Sequence, residues 1–383
     1  MSGFESVPEQ HEAKRLLAAA LEAARAAGRA ADARPEDLAA GGGRPEGPAH
    51  AYLLYGPAGV GKRALARRFA AELLGDHTRV ERGTHPDLYV LEPLGDQIRI
   101  DDVRELRRDL HMRPFEADRR VYLVFGADTM NEDAADALLK DLEEPPHYAV
   151  LLLVAEDLGP LPETIRSRCQ LVPFRRLSER AVRAAVRERA PALPDDEVST
   201  IARAAGGRLD RAGRLLDPAA ANRRETLLGV ARSVYLGPEF EPADGAEAIL
   251  AGIDEHAAEA KERAEERVRV LELSGREAEQ MVRRAQRGAE RDEYLAVLEE
   301  LEWWYRDLVV VAVGAETAAV HVDRLEELRQ DATRERLLAA ERACEIVRAA
   351  WREAEELQLS TPLALEALLI RLAREFAGTA VRV

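Results

Sequence analysis

A lysine that follows three spaced glycines is the first group in this sequence with chemistry to offer. Gly56, Gly59, Gly61 and Lys62 lie in Gly56-Pro-Ala-Gly59-Val-Gly61-Lys62, which has the phosphate-loop spacing G-x-x-x-x-G-K. Glycines let the backbone curl until successive N–H groups converge on an anion. A helix starting at Lys62 adds its positive N-terminal end, and the ammonium adds a full charge. The stretch therefore reads as a nucleotide phosphate cradle, or as a tight strand-to-helix turn that binds nothing. Arg63 follows, where a nucleotide hydrolase needs a Ser or Thr hydroxyl to hold Mg²⁺. A guanidinium carries no acceptor and cannot ligate a cation.

Such a loop works only if a buried strand precedes it and a helix follows. Ala51–Tyr55 supplies the strand, and four more strand candidates come after it: Asp87–Glu92, Arg120–Phe125, Ala149–Ala155 and Gln170–Pro173. Helical spacing occupies Glu9–Arg29, Asp101–His111 and Asn131–Glu143, with a short piece near Leu161–Ser167. Nearly continuous apolar strands alternating with helices indicate an α/β domain with a parallel sheet covered on both faces. The glycine loop then lies at the carboxyl end of a strand, where such sheets take ligands. Residues 31–47 hold Gly41-Gly42-Gly43 among Ala and Pro and read as a flexible loop.

After Phe174 the strand signals stop. Ser178 is placed to cap a helix to about Arg189, and Asp195–Ala205 and Arg208–Leu216 give two short helices around Gly206-Gly207. From Pro218 onward nearly everything is helical. Between Asp254 and Asp292, 20 of 39 residues are charged, 11 acidic and 9 basic, which suits a solvated helical arm divided near Ser274-Gly275. The arm is inert, or it docks a partner. Farther on come Trp303, Trp304 and Tyr305. Adjacent tryptophans cannot share one helix face, so at least one should bury against another element or another subunit. Helices are expected over Arg334–Leu357 and Pro362–Phe376, the second with Leu365, Leu368, Leu369 and Leu372 as a stripe that is core or an oligomer seam.

The domain plan is thus 1–174 for the α/β part, 175–217 for a small helical lid, and 218–383 for an all-helical part bearing the arm at 254–292. The bulk numbers agree with it. A chain of 383 residues, 46% hydrophobic and 33% charged, can bury two or three cores. A net charge of −16 argues against a dedicated nucleic-acid binder. Two cysteines, Cys169 and Cys344, suggest neither a disulfide framework nor a four-thiolate zinc site. No apolar run is long enough for a bilayer and the start carries no signal-peptide pattern, so a cytoplasmic protein without membrane partners is expected.

In combination, several segments resemble clamp-loader subunits of the AAA+ superfamily, most closely the delta-prime type of bacterial DNA polymerase III. They run in the family's order: Gly3-Phe4 to Gln10; His50–Leu54 leading into Gly56–Lys62; His85-Pro86-Asp87; Ile98–Arg104; Asp128–Asn131 with Ala137–Lys140; Leu142-Glu143-Glu144-Pro145-Pro146; and Thr164–Gln170. Trp304–Leu308 is similar to a patch of the family's C-terminal domain. The likeness is good over residues 1–220, looser over 293–375, and does not place the arm. It implies an AAA+ P-loop domain, a helical lid and an all-α collar.

The resemblance also assigns roles. Arg168, within Ser167-Arg168-Cys169, would be an arginine finger acting in trans on the nucleotide of a neighbouring subunit; alone, the triplet would be an ordinary surface turn. Arg211 falls where the family often has a phosphate-sensing arginine, or is a solvated helix residue. The family's hydrolysing members need carboxylates after the third strand, where this chain has Phe125 and Gly126, and a neutral polar sensor where it has Ala155 or Glu156. With Arg63, that makes three losses. The implied protein is a non-hydrolysing clamp-loader subunit with a degenerate nucleotide site made of Gly56, Gly59, Gly61, Lys62, Arg63 and Arg211. No cofactor is required, and any ATP or ADP is held weakly. Many relatives carry four zinc-binding cysteines between the first helix and the second strand. Residues 75–85 have none, so zinc is not expected, and His77 and His85 read as solvent-facing loop residues. Implied partners are the gamma/tau and delta subunits, with the sliding clamp and primer–template DNA indirectly. The alternatives are an active ATPase of the same loader and a scaffold working through the arm.

Overall fold

Nearly continuous apolar strands need cover on both faces, and in the structure Arg120–Phe125 and Ala149–Ala155 are buried at every position. The coordinates are a computed structural model describing residues 3–32, 48–93, 97–237, 239–270, 275–356 and 360–380. The loop expected at 31–47 lies almost wholly outside the described residues. The chain divides into two compact units, one of residues 1–185 with 207–210 and one of residues 186–206 with 211–383.

The first unit is built on five strands: β1 (Ala51–Tyr55), β2 (Leu88–Leu91), β3 (Arg120–Phe125), β4 (Ala149–Ala155) and β5 (Gln170–Pro173). Their order is β2-β3-β4-β1-β5 and every pairing is parallel. In strands, successive side chains point to opposite faces. Tyr52, Leu54, Val121, Leu123, Phe125, Val150 and Leu152 therefore join one core, with α1 (His11–Asp32) and α2 (Lys62–Leu74). Leu53, Tyr122, Val124, Leu151 and Leu153 join the other, with α4 (Ile100–Leu110) and α5 (Glu132–Glu143); α3 (His77–Arg82) follows α2. The expected α/β arrangement is present, with strand bounds differing only by a residue at each end of β2.

Local signals fix the helix ends. Gly61 and Gly75 flank α2 at φ 99° and 73°, in the left-handed region that favours glycine. Asn131 caps α5, its Oδ1 accepting from the Ala134 N–H at 3.0 Å. Asp87 explains itself once seen. Its buried carboxylate accepts the N–H groups of Phe115, Glu116 and Ala117 at 2.6, 3.0 and 2.9 Å. It thereby holds the turn that leads into β3. Burial alone would raise its titration, but these donors hold it below the usual carboxylate range.

One expectation fails here. Residues 77–82 are helix rather than loop, because Asp76 caps them through its Oδ1 at 2.9 Å from the Arg79 N–H. His85 is buried rather than solvent-facing. Its Nδ1 accepts from the Asp87 N–H at 3.1 Å, and its Nε2 lies 3.3 Å from Glu116. Sequence inspection missed it because both partners are backbone or distant side chain.

The second unit is helical. Its elements are α8 (Asp195–Ala204), α9 (Leu209–Leu216, whose first two residues cluster with the first unit), α10 (Pro218–Leu236), α11 (Pro242–Val270), α12 (Gly275–Ala312), α13 (Leu325–Asp331), α14 (Leu337–Glu356) and α15 (Thr361–Ala380). The charged arm is the end of α11 and the start of α12, and its expected break coincides with residues 271–274, outside the described set. The second arm helix runs unbroken into the tryptophan segment. Trp304 is fully buried, and Leu365, Leu368, Leu369 and Leu372 are all core. Each buried leucine contributes about 1.5–3 kcal/mol. Exposed arm pairs such as Arg263–Glu259 at 3.6 Å and Arg283–Glu279 at 3.8 Å contribute about 0.3–0.5 kcal/mol each. The stripe, not the charge pattern, holds this unit. Among the described residues no helix is long and apolar enough to cross a membrane.

A charged cluster lies inside the same core. Fully buried His321 sets its Nδ1 2.8 Å from Asp307 and its Nε2 3.1 Å from Glu300, with Trp304 edge-on at 5.4 Å. Burial alone would push His321 down, but Glu300 and Asp307 outweigh it and hold its pKa above the usual histidine value. A raised folded-state pKa stabilises fully below the unfolded value and is lost as pH rises through the folded one. The midpoint of urea unfolding, followed by tryptophan fluorescence, should therefore fall as pH climbs above about 6.5. His321→Ala should flatten that fall and cost about 3–5 kcal/mol at pH 6, as a buried pair loses one partner.

Candidate nucleotide site and arginine finger

The loop from Gly56 to Gly61 leaves the carboxyl end of β1 with positive φ at Gly56, Gly59 and Gly61. Each glycine is also required by space. A Cβ at Gly56 would fall 2.3 Å from the Phe174 carbonyl oxygen, one at Gly59 would overlap the Asp210 carboxylate, and one at Gly61 would stand 2.8 Å from Val7. The loop is thus packed between the N-terminal segment, the end of β5 and residue 210, all in the first unit.

Lys62 is buried and turned back on the loop, its Nζ donating to the carbonyls of Gly56 and, at 2.5 Å, Pro57. Burial pushes its pKa below the usual lysine range, while Glu156, Asp128 and Asp210 oppose the shift. Asp128 in turn accepts the N–H groups of Glu156 and Asp157 at 2.8 and 3.1 Å. Glu156 is an exposed residue, yet partial desolvation of its carboxyl by neighbouring groups pushes it up, Lys62 opposing. The three carboxylates share one small region with the ammonium, and sequence spacing gave no sign of Asp210 there.

Arg63 does not enter the loop. Its guanidinium lies 4.8 Å over the Phe125 ring, Arg67 lies 5.1 Å over the same ring, and Glu92 is 3.3 Å from the first and 3.8 Å from the second. Where a hydrolase needs a hydroxyl and a carboxylate, this chain stacks cations on a buried aromatic face. Gly126, at φ 69°, starts a short 3-10 turn and adds no ligand. Among the described residues there is no group of three or more His, Cys, Asp or Glu able to hold a metal.

The N-terminal segment is a clamp that sequence reading noticed but did not explain. Gln10 Nε2 donates to the carbonyls of Val60 at 3.3 Å and Arg175 at 2.7 Å, and its Oε1 accepts from the Arg175 N–H at 3.1 Å. Glu9 accepts from the Ser178 N–H at 3.0 Å and from its hydroxyl, and Ser178 Oγ caps α7 (Glu179–Arg189) through Ala181 at 3.2 Å. Both Glu9 and Gln10 have positive φ, 52° and 50°, a strained choice for side-chain-bearing residues that these bonds hold in place.

Arg168 follows α6 (Glu163–Arg166) and is about one-third exposed, at 33%. Its NH1 donates to the Thr164 carbonyl at 2.8 Å and its NH2 to Glu143 at the end of α5. Cys169 beside it is buried, and burial pushes its thiol up to about 12, so it is a packing residue and not a nucleophile. Arg211 belongs to the second unit and is not a solvated residue. It is buried, its Nε donates to the Ala204 carbonyl at 2.8 Å, its NH2 is 2.6 Å from Glu300, and its guanidinium stacks 4.5 Å over Trp303.

A parallel sheet of this order, with a glycine loop leaving β1 for a helix, defines a P-loop domain of AAA+ type. Residues 44–178 match the sequence profile described as DNA polymerase III, delta subunit. This part of the chain is a clamp-loader-related domain resembling the delta and delta-prime subunits of DNA polymerase III. The delta-prime subunit of Pseudomonas aeruginosa is 46% identical over 136 residues, 32% of this chain and 42% of the relative. The tau subunit of Escherichia coli is 31% identical over 205 residues, 49% of this chain and 32% of the relative. The matches thus span less than half the length of either curated relative. A crystal structure of a DNA polymerase III gamma subunit-related protein from Thermotoga maritima aligns over 86% of this chain and 96% of its own, at 18% identity and TM-score 0.37.

The Gln10 clamp gives a direct check. Gln10→Ala would strip partners from the buried Val60 carbonyl and the partly buried Arg175 backbone. It should lower stability by about 1–3 kcal/mol in urea unfolding followed by far-UV circular dichroism.

Proposed function

We propose that the chain is a non-hydrolysing subunit of a DNA polymerase III-type clamp loader. In this reading it takes one place in a pentameric ring and offers Arg168 to the nucleotide of a neighbouring ATPase subunit. The observation that carries the reading is the packing of Arg63 and Arg67 on Phe125, where a metal-holding hydroxyl and carboxylate would otherwise stand. Without those oxygens, neither Mg²⁺ nor the attacking water has a holder. The residues that remain, Gly56, Gly59, Gly61 and Lys62, suit weak retention of ATP or ADP at most, since Lys62 is already bonded to its own loop.

Arg168 fits the complementary role. A guanidinium is permanently charged and presents a fork of donors that stabilises charge building up on transferring phosphate oxygens. It is partly exposed, on the domain that resembles the delta-prime subunits. On this reading residues 1–174 are the P-loop domain, 175–217 the lid and 218–383 a collar that joins gamma/tau and delta subunits. The clamp and primer–template DNA are met through the assembled ring. The match to a tau subunit favours an active ATPase as the rival, and Arg63, Phe125 and Gly126 oppose it.

Two measurements separate them. The purified chain should turn over no ATP above background. In a loader reconstituted with its ATPase subunits, Arg168→Ala should leave folding intact and slow the adjoining site on the order of 10³-fold, so that the complex loses that site's share of turnover. ATP turnover by the isolated chain that Lys62→Ala abolishes would establish the rival.

A further inference from the structure

We propose that Glu143 is a positioning residue for Arg168, holding its guanidinium at the surface in the orientation from which it meets a neighbour's phosphate. The proposal rests on the trans role of Arg168 given above. A free arginine side chain samples many rotamers, and a finger that must be ordered on each encounter is slow and weak. Here the ordering is built in. Glu143 takes NH2, the Thr164 carbonyl takes NH1 at 2.8 Å, and Ser167 Oγ lies 3.5 Å from NH1. Ser167 Oγ itself donates to the Thr164 carbonyl at 3.2 Å, which fixes the turn.

Glu143 is well placed for the task. It is the last residue of α5, and Glu144 closes that helix through its N–H to the Lys140 carbonyl at 3.0 Å. The helix C-terminus is electronegative, so carboxylate and helix end attract the same cation. Pro145 and Pro146 follow at once and fix the chain direction on leaving the helix. The pair is also half-open, Glu143 being 50% exposed and Arg168 33%. Such a pair orients the side chain and leaves its open side to a doubly charged phosphate. A guanidinium has five donors, so donors remain for a phosphate while these oxygens hold the fork.

The test is ATP turnover by the reconstituted loader with clamp and primed DNA, comparing wild type, Glu143→Ala, Glu143→Gln, Arg168→Ala and the double variant that combines Glu143→Ala with Arg168→Ala. Positioning predicts that Glu143→Ala lowers kcat about 2–5-fold, the ratio that matches the worth of an exposed ion pair, with KM for ATP unchanged. Glu143→Gln, which keeps an acceptor, should recover part of the loss. The double variant should be no slower than Arg168→Ala. Raising salt should narrow the gap between wild type and Glu143→Ala, because the pair is screened. If Arg168→Ala is impaired while Glu143→Ala matches wild type, positioning is wrong and the trans role stands. If Glu143→Ala slows the Arg168→Ala background further, Glu143 acts elsewhere and positioning is again wrong. If Arg168→Ala itself has no effect, the trans role fails and takes the positioning role with it.

Discussion

Burial of β3 and β4 on both faces is the constraint on which the first unit depends. A strand covered on two sides leaves charged groups to its ends, so the chemistry collects at the carboxyl edge of the sheet. There β1 opens into the glycine loop, β3 ends at Phe125 and β4 ends beside Glu156. The side chain of Phe125 points into the core that holds α1 and α2. Its ring is therefore available as a platform for Arg63 and Arg67, the two cations that the first turns of α2 bring above it. Phe125 at the strand end and Arg63 at the helix start thus meet in a cation–π contact.

The loop itself is intact in shape and altered in surroundings. Its glycines are held by close approach of Phe174, Asp210 and Val7. Lys62 satisfies itself on loop carbonyls, and carboxylates surround it. A phosphate would have to displace those bonds and tolerate Asp210 and Glu156 nearby. The Glu9–Gln10 clamp ties the loop at Val60, the end of β5 at Arg175 and the cap of α7 at Ser178 together.

The second unit rests on different physics. Its core is long helices with leucines and aromatics facing inward, and its polar interior is a closed charge cluster. Glu300 meets Arg211, Arg224 and His321, and these cations hold its carboxyl well below the usual range although burial alone would raise it. Breaking one member strands the others, so such a cluster makes geometry specific rather than merely stable. Arg211 spends its charge there, on Glu300 and the face of Trp303.

The strands, the glycine loop and the leucine stripe were legible in the sequence, because period and local residue type decide them: apolar runs of four to seven, a positive-φ turn that needs glycine, a 3–4 spacing. The absence of a hydroxyl at 63 and of carboxylates at 125 and 126 was equally a matter of residue type. What only the tertiary structure decided is who meets whom at long range. It buried His85 against Glu116, set Asp210 against Gly59, put Arg63 on Phe125, turned Arg211 inward and gave Arg168 the company of Glu143. Those contacts join residues tens of positions apart, and no local preference encodes them. They follow only once the sheet order is fixed and the helices have closed over it.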